Sequence, residues 1–273
     1  DITWTSTGFI SYNVDIDVYK GGILTGYDTT VNDGIYPWPV DSFFVEGTDY
    51  KVRISDESDS SIYGESGVFT INQGYEYVSQ WGSYGTGNGL LDDPCDVAVD
   101  SSGNVYVVDS NNHRVQKFDS NGVYLGQWGN NGTANGQFAF PYGVAVDSSN
   151  TVYVTDYDNH RVQKFDSNGF YLGQWGSNGT LPGQFTYPQG IAVDSSGYVY
   201  VADTGNDRIQ KFNSSGTWIL TWGSSGIAGG QFNHPNAIAV DSSGNVYVAD
   251  TSNHRIQKFS SIGSYLGQWG STG

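Results

Sequence analysis

A period governs what this chain can fold into. Asp100, Asp147, Asp194 and Asp241 each close an Ala-Val-Asp step, each is followed by Ser-Ser, and successive copies lie 47 residues apart. A repeat of that length is one supersecondary unit that buries its faces only by stacking on its neighbours. Four short strands fit in each unit. In the second copy they are Gly143–Asp147, Thr151–Asp156, Arg161–Asp166 and Phe170–Trp175, rich in Val, Tyr and Phe and bounded by Gly, Asn, Asp or Ser.

The turns are chemically explicit. Asp166–Gly169 and Asp194–Gly197 put an Asx acceptor first and a glycine last, where φ must be positive. The longer stretch Gly176–Tyr187 crosses from the outer strand of one unit to the inner strand of the next. First strands are small (Val-Ala-Val or Ile-Ala-Val), which suits crowding round an axis. Last strands are large, mostly Tyr-Leu-x-x-Trp, which suits a wide rim. The expectation is four-stranded propeller blades beginning near 94, 141, 188 and 235, with Trp128, Trp175, Trp222 and Trp269 equivalent.

The residues flanking these strands carry a resemblance. Asn-His-Arg stands at 112–114, 159–161 and 253–255, and Asn-Asp-Arg at 206–208. The surrounding pattern is GQF-x-x-P-x-G-I-A-V-D-S-S-G-x-V-Y-V-A-D-T-x-N-x-R-I-Q-K-F. Residues 75–273 therefore resemble the NHL-repeat family, which implies a β-propeller, usually of six blades. The resemblance does not fix an activity, because the family includes lyases, RNA binders, ligase scaffolds and extracellular sensors.

Residues 1–73 do not share the period. Ile2–Thr7, Tyr12–Tyr19, Tyr36–Val40, Tyr50–Ile54 and Gly67–Ile71 alternate apolar and polar residues and read as strands with one buried face. Lys20-Gly-Gly22 and Asn32-Asp-Gly34 read as turns. An all-β Ig-like sandwich is expected there. ITWTSTG (2–8), VDIDVYKGG (14–22), NDGIYPWPV (32–40), DYKVRISDESD (49–59) and GVFTI (67–71) resemble the Ig-like domain of the Ser/Thr-rich cell-wall glucan-synthesis family. That family places one more strand before ITWTSTG. The fold class is thus all-β: a sandwich over 1–73, then an NHL-type propeller region over 74–273. Glu76–Trp81 matches the outer strand 123–128, so the propeller region holds four complete blades plus one extra strand.

Composition narrows the function. The formal charge of −17 disfavours nucleic-acid and anionic-membrane partners. No apolar run is long enough to span a membrane. A single cysteine, Cys95, gives neither a disulfide framework nor a zinc cluster. Abundant Tyr, Gly, Asn, Ser and Thr with few Lys suit a secreted or surface protein. Asn131, Asn178 and Asn213 head glycosylation sequons. The chain has no Met and starts at Asp1, which points to a processed or excised product.

Candidate chemistry divides by whether it follows the repeat. His113, His160 and His254 share one repeat position, and Asp207 replaces them in the third copy. The resemblance implies that propeller lyases place His ligands on separate blades around a metal. Residues that recur with the repeat read instead as structural. The same holds for Asp109 and Arg114, Asp156 and Arg161, Asp203 and Arg208, and Asp250 and Arg255, expected as a ring of salt bridges. His234 is a lone His beside Pro235. Asp56, Glu57, Asp59 and Glu65 form an acidic cluster that reads as a solvated loop, with Ca²⁺ the alternative occupant. No cofactor is otherwise expected. The sequence shows no nucleophile elbow and no phosphate loop.

Binding residues are sought where near-identical copies differ. After each unit's Pro stand Cys95-Asp96, Tyr142-Gly143, Gln189-Gly190 and Asn236-Ala237. Before Asn-His-Arg or Asn-Asp-Arg stand Ser110-Asn111, Tyr157-Asp158, Thr204-Gly205 and Thr251-Ser252. Both sets are expected on one face near the channel mouth, with Tyr142, Tyr157, Asp158, Gln189 and Asn236 as ligand-binding candidates. The reading is a noncatalytic extracellular protein for adhesion, matrix or filament assembly, or binding of a protein or carbohydrate. The alternatives are a lyase-type metalloenzyme and a piece of a larger surface protein. The spare strand and the sandwich's missing strand leave edges that a longer parent or strand sharing between subunits would satisfy.

Overall fold

A computed structural model describes residues 79–270 and seven strands between residues 2 and 71. The chain divides into two compact units, Asp1–Ser79 and Gln80–Gly273. The boundary expected at Gln73-Gly74 lies outside the described residues.

In the first unit a five-stranded antiparallel sheet runs in the order Ile23–Val31, Asn13–Lys20, Gly47–Asp56, Tyr63–Glu65. Phe69–Ile71 also pairs with Gly47–Asp56. Ile2–Thr3 pairs separately with Ile35–Tyr36. The strand Ile23–Val31 is a correction to the sequence reading, which placed a turn at Lys20-Gly-Gly22 but no strand after it. The hairpin register, from Lys20↔Ile23 to Asn13↔Val31, supplies the partner that this turn requires. The packing that would make a sandwich, and Glu57 and Asp59 of the acidic cluster, lie outside the described residues.

The second unit is four antiparallel sheets of four strands each. Blade one is Pro94–Val99, Val105–Asp109, Arg114–Phe118 and Tyr124–Trp128. Blade two is Pro141–Val146, Val152–Asp156, Arg161–Phe165 and Tyr171–Trp175. Blade three is Pro188–Val193, Val199–Asp203, Arg208–Phe212 and Trp218–Trp222. Blade four is Pro235–Val240, Val246–Asp250, Arg255–Phe259 and Tyr265–Trp269. Their first strands pack blade one on two, two on three and three on four. No comparable contact joins the first strand of blade four to that of blade one among the described residues.

A buried carboxylate organises each blade. Asp156 ends the second strand and is fully buried. It accepts hydrogen bonds from Ala139 N–H at 2.8 Å, Asn159 Nδ2 at 3.0 Å, Arg161 Nε at 2.7 Å and Gln163 Nε2 at 3.0 Å. Burial pushes its carboxyl above the ordinary value, and the donors from Ala139, Asn159 and Arg161 pull it back. The Arg161 guanidinium also donates to the carbonyls of Thr133, Ala134 and Gln137, which belong to the crossing loop that enters the blade. Asp109, Asp203 and Asp250 repeat the hub with Arg114, Arg208 and Arg255, at Nε–Oδ2 distances of 2.6, 2.6 and 2.7 Å. One ion pair thus fixes the second strand, the third strand and the blade-to-blade crossing together.

The opposite end of each blade is held by the Ala-Val-Asp turn. Asp147 accepts from Ser149 N–H, Thr151 N–H and the Tyr153 hydroxyl. Asp241, with Asn245 as its first donor, is pulled down to about 2. Burial and the turn carboxylate push the Tyr153 phenol well above its usual range.

Between blades the core is apolar and directional. Each blade presents its tyrosine, a third-strand Val or Ile and its outer Trp forward. The next blade answers with its crossing-loop Phe, first- and second-strand Val and third-strand Phe. At the first junction these are Tyr106, Val108, Val115 and Trp128 against Phe138, Val144, Val152, Val154 and Phe165. Lys117 Nζ crosses to the Ser167 carbonyl at 2.9 Å, Lys164 to Ser214 at 3.1 Å and Lys211 to Ser261 at 3.0 Å.

The outer Trp lies flat on a turn glycine of the next blade. A Cβ on Gly169 would stand 2.6 Å from the Trp128 ring, and one on Gly216 would stand 2.6 Å from Trp175. Glycine is therefore required there twice over, by positive φ and by this approach. Trp269 pairs with Ile256 as Trp222 pairs with Ile209, so the four Trp share a strand position. They do not share an environment: Trp222 is 9 % exposed and Trp269 53 %, because among the described residues no further blade packs on the fourth.

The hub makes a direct prediction. Replacing Arg161 with Ala leaves Asp156 charged and buried, and should cost ~3 kcal/mol. Urea denaturation of the variant measures it. A change within about 0.5 kcal/mol, the size seen at unremarkable surface sites, would show that the pair is dispensable.

Candidate functional site

The two divergent residue sets meet on one end of the blades. Pro94 pairs with Asp109, Pro141 with Asp156, Pro188 with Asp203 and Pro235 with Asp250, so the residue after each Pro adjoins the residue after each Asp. Tyr142 and Tyr157 lie 6.3 Å apart between ring centroids. Thr251 hydrogen-bonds Asn236. Thr155 Oγ1 donates to the Gln189 carbonyl at 2.6 Å, and Thr204 Oγ1 to the Pro235 carbonyl at 2.7 Å, so each contact reaches the next blade.

Tyr157 is the centre of the group. Its ring is 4.9 Å from Tyr187, and Tyr187 stands edge-on to His160 at 4.7 Å. Burial, then the neighbouring Asp158 carboxylate, push the Tyr157 phenol up. The Gln189 side chain lies close enough to the Tyr157 phenol to pull it down in part. Burial, then the neighbouring Cys95 thiol and the Asp93 and Asp96 carboxylates, push the Tyr142 phenol up as well. The result is a partly exposed aromatic surface over blades two and three, edged by the exposed Asp158 and by Gln189. Asn236 lies on the fourth blade, with Thr251 and not with the tyrosines.

Sequence reasoning missed Tyr187 and Phe140, whose role depends on backbone shape. Both have φ near +50°, rare for aromatic residues and an indication of a constrained segment. Each is clamped from the preceding blade. His113 Nδ1 accepts the Phe140 N–H at 3.1 Å, and His160 Nδ1 accepts the Tyr187 N–H at 3.0 Å. In the third copy Asp207 Oδ1 accepts the His234 N–H at 2.8 Å. His113, His160, Asp207 and His254 all have φ between 50° and 54°, a region that His and Asp enter more readily than most residues. The repeat position therefore requires a left-handed residue with a side-chain acceptor, and His and Asp both qualify.

The other candidates are accounted for individually. His234 Nδ1 lies 2.8 Å from Asn233 Oδ1. Burial pushes the Cys95 thiol up, away from a reactive thiolate. Asp96 accepts from Val97 N–H and Val144 N–H, and burial raises its carboxyl. Among the described residues no three His, Cys, Asp or Glu side chains converge as a metal-holding group. Asn131 and Asn178 are exposed on the crossing loops. Asn213 is committed to a turn, where its Oδ1 accepts from Ser215 and Thr217. Among the described residues no helix is long and apolar enough to cross a membrane.

The clamp can be tested directly. His160→Ala loses an acceptor worth ~1 kcal/mol and puts Ala in a left-handed conformation at a cost of ~1 kcal/mol. His160→Asp should retain most of the stability, as Asp207 does this work in the third copy. Urea midpoints of the two variants give the comparison, and equal losses would refute the acceptor role.

Comparison with known proteins bears on the fold. Among curated proteins, no sequence matches this chain. Several solved structures do match. A streptogramin B lyase aligns at TM-score 0.53 and 14% identity, over 82% of this chain and 62% of that one. The virginiamycin B lyase from Staphylococcus aureus, solved in a catalytically inactive form with quinupristin, aligns at TM-score 0.52 and 14% identity, over 82% and 67%. Hydrazine synthase from Kuenenia stuttgartiensis aligns at TM-score 0.50 and 13% identity, over 68% and 52%. This chain thus spans between about half and two thirds of those chains, and at such identities the likeness is one of fold alone. The NHL-repeat family model matches residues 91–118, 138–165, 185–212 and 232–259, so the second unit of this chain consists of four NHL repeats that form a four-bladed β-propeller.

Proposed function

We propose that this chain is a noncatalytic binding protein of the cell exterior, which holds a carbohydrate on the loop face of its propeller. The observation that carries the reading is the contiguous surface of Tyr142, Tyr157, Tyr187 and His160, with Gln189 and Asp158 at its edge. Sugar rings offer flat C–H faces to tyrosines, and their hydroxyls take up amide and carboxylate hydrogen bonds. The surface is preorganised, because the His160 clamp sets the Tyr187 backbone and the Asp hub sets the loop before it. The composition of the chain suits an extracellular setting, and its acidity disfavours polyanionic ligands. A short peptide presenting aromatic or basic side chains is the other ligand chemistry that fits.

A second reading, a propeller lyase, draws on the fold shared with the two streptogramin-class lyases. It needs a metal and repeat-breaking ligands. Stoichiometric metal in purified protein, found by elemental analysis, would favour it over the binding reading.

The binding reading is tested on a glycan panel followed by calorimetry with the best ligand. Tyr157→Ala should weaken binding by about tenfold, the loss expected for one stacked aromatic. Val123→Ser, on the exposed outer rim, should leave it unchanged. Binding unaffected by Tyr157→Ala would move the site elsewhere.

A further inference from the structure

At each internal junction a third-strand lysine reaches forward to the next blade, and one outer-strand residue stands beside it in register. Lys117 pairs with Gly126, Lys164 with Gly173 and Lys211 with Leu220. The repeat thus makes the same place twice with glycine and once with leucine. At the third junction Leu220 packs against the core cluster that includes Tyr200, Ile209, Trp222 and Phe259. Lys211 beside it is only 6 % exposed, with Tyr198 also stacked on its ammonium at 4.1 Å.

At the first junction the corresponding core of Tyr106, Val115, Trp128 and Phe165 is in place, but the leucine is not. A Cβ on Gly126 or on Gly173 would meet no atom within 4 Å. At Gly126 this leaves a pocket of about 220 Å³ between the outer strand of blade one and the Asp166–Gly169 turn, lined by Lys117, Leu125, Trp128, Ser167 and Asn168. The Lys117 ammonium is already engaged, by the Ser167 carbonyl at 2.9 Å and the Tyr106 ring at 5.1 Å. None of the loop-face tyrosines lines the pocket.

Size and surroundings identify the occupant. Sites for whole drug-sized ligands begin near ~300 Å³, and ~150 Å³ holds a benzene-sized group, so this pocket suits one side chain. Beside it runs a sheet edge. Tyr124–Trp128 is the outermost strand of blade one and pairs only with Arg114–Phe118 among the described residues. A strand added there would place one residue opposite Gly126, about 5 Å away and with its side chain on the pocket's face. Its main chain would satisfy the open edge.

We infer that an extended segment of another polypeptide adds to Tyr124–Trp128 and lays a leucine or isoleucine side chain over Gly126. That side chain does from outside what Leu220 does from within. Tyr171–Trp175 offers the same place at Gly173. Trp218–Trp222 does not, because Leu220 fills it. The net charge of −17 favours a segment with basic residues over an acidic one.

Indole N–H signals in a nitrogen–proton NMR spectrum test this. The Trp128, Trp175 and Trp222 Nε1 groups are buried at the three junctions without a hydrogen-bond partner among the described residues, so their signals report local packing. Trp128→Phe, Trp175→Phe and Trp222→Phe assign them. The probe is a capped Lys-Thr-Thr-Leu-Thr-Thr-Lys peptide. It should shift the Trp128 and Trp175 signals saturably and leave that of Trp222 in place. Glycine in place of the peptide's leucine should weaken binding by about tenfold. Gly126→Leu should abolish the Trp128 response and keep that of Trp175; the substitution is accommodated, because the backbone there lies outside the left-handed region. Leu220→Gly should give Trp222 a response of its own. A Trp128 signal that ignores the peptide, or a response that survives Gly126→Leu, would overturn the proposal. Equal shifts from free leucinamide would do so as well, because the strand edge would then play no part. Shifts with protein concentration alone would make a second copy of this chain the occupant and overturn it too.

Discussion

The propeller region depends on a buried charge. Asp109, Asp156, Asp203 and Asp250 are fully buried, and each would be untenable without its donors. Each has a guanidinium, two side-chain amides and a backbone N–H. A buried ion pair is weak evidence for net stability, since an apolar substitute of the same shape can do as well. It is stronger evidence for geometry. The guanidinium is spread over carbonyls 24 to 28 residues earlier in the chain, so the Arg holds the crossing loop at one height above the strands. Loop height in turn sets where Phe138, Phe185 and Phe232 enter the junction, and all three are fully buried.

Much of this was legible in the sequence, because it is periodic. The period of 47 residues, the Asx-Gly turns and the small-to-large gradient of the strands gave the blades to within a residue or two. The five-residue step from Asp to Arg placed both at strand ends across one tight loop, where Asp156 pairs with Arg161 in register. Contacts between blades were less legible. The His160 to Tyr187 clamp joins residues 27 apart, and its logic lies in φ and not in side-chain chemistry. A trace existed: a position that accepts His or Asp but no aliphatic residue asks for a left-handed acceptor. The Trp–Gly slot had a similar trace in the invariant turn glycines, which the turn alone seemed to explain. In Ile23–Val31 the adjacent Ile23 and Leu24 and the threonines at 25 and 29 blur the apolar alternation, and pairing with Asn13–Lys20 decides the matter.

The same periodicity separates scaffold from site. Where four copies agree, a shared structural task explains them: hub, turn, clamp or slot. Where they disagree, the task is local. Tyr142, Tyr157 and Gln189 occupy positions taken elsewhere by Cys95, Ser110, Thr204, Asn236 and Thr251. The small residues at those positions satisfy the backbone, as Thr204 does with the Pro235 carbonyl. A tyrosine is not needed for that, so its presence at two adjoining positions on blade two calls for another reason. Clustering with Tyr187 supplies one, since single exposed aromatics are ordinary and contiguous ones are not.

Scaffold and site also meet in one residue. His160 belongs to the junction, because it accepts the Tyr187 N–H, and to the aromatic surface, because its ring abuts the Tyr187 ring. The third junction puts the Asp207 carboxylate in the same place, but its partner is the His234 N–H and no tyrosine lies behind it. At the second junction one bond sets both the packing between blades and the backbone of an aromatic residue on the loop face, so a change at His160 reaches that face as directly as it reaches the junction.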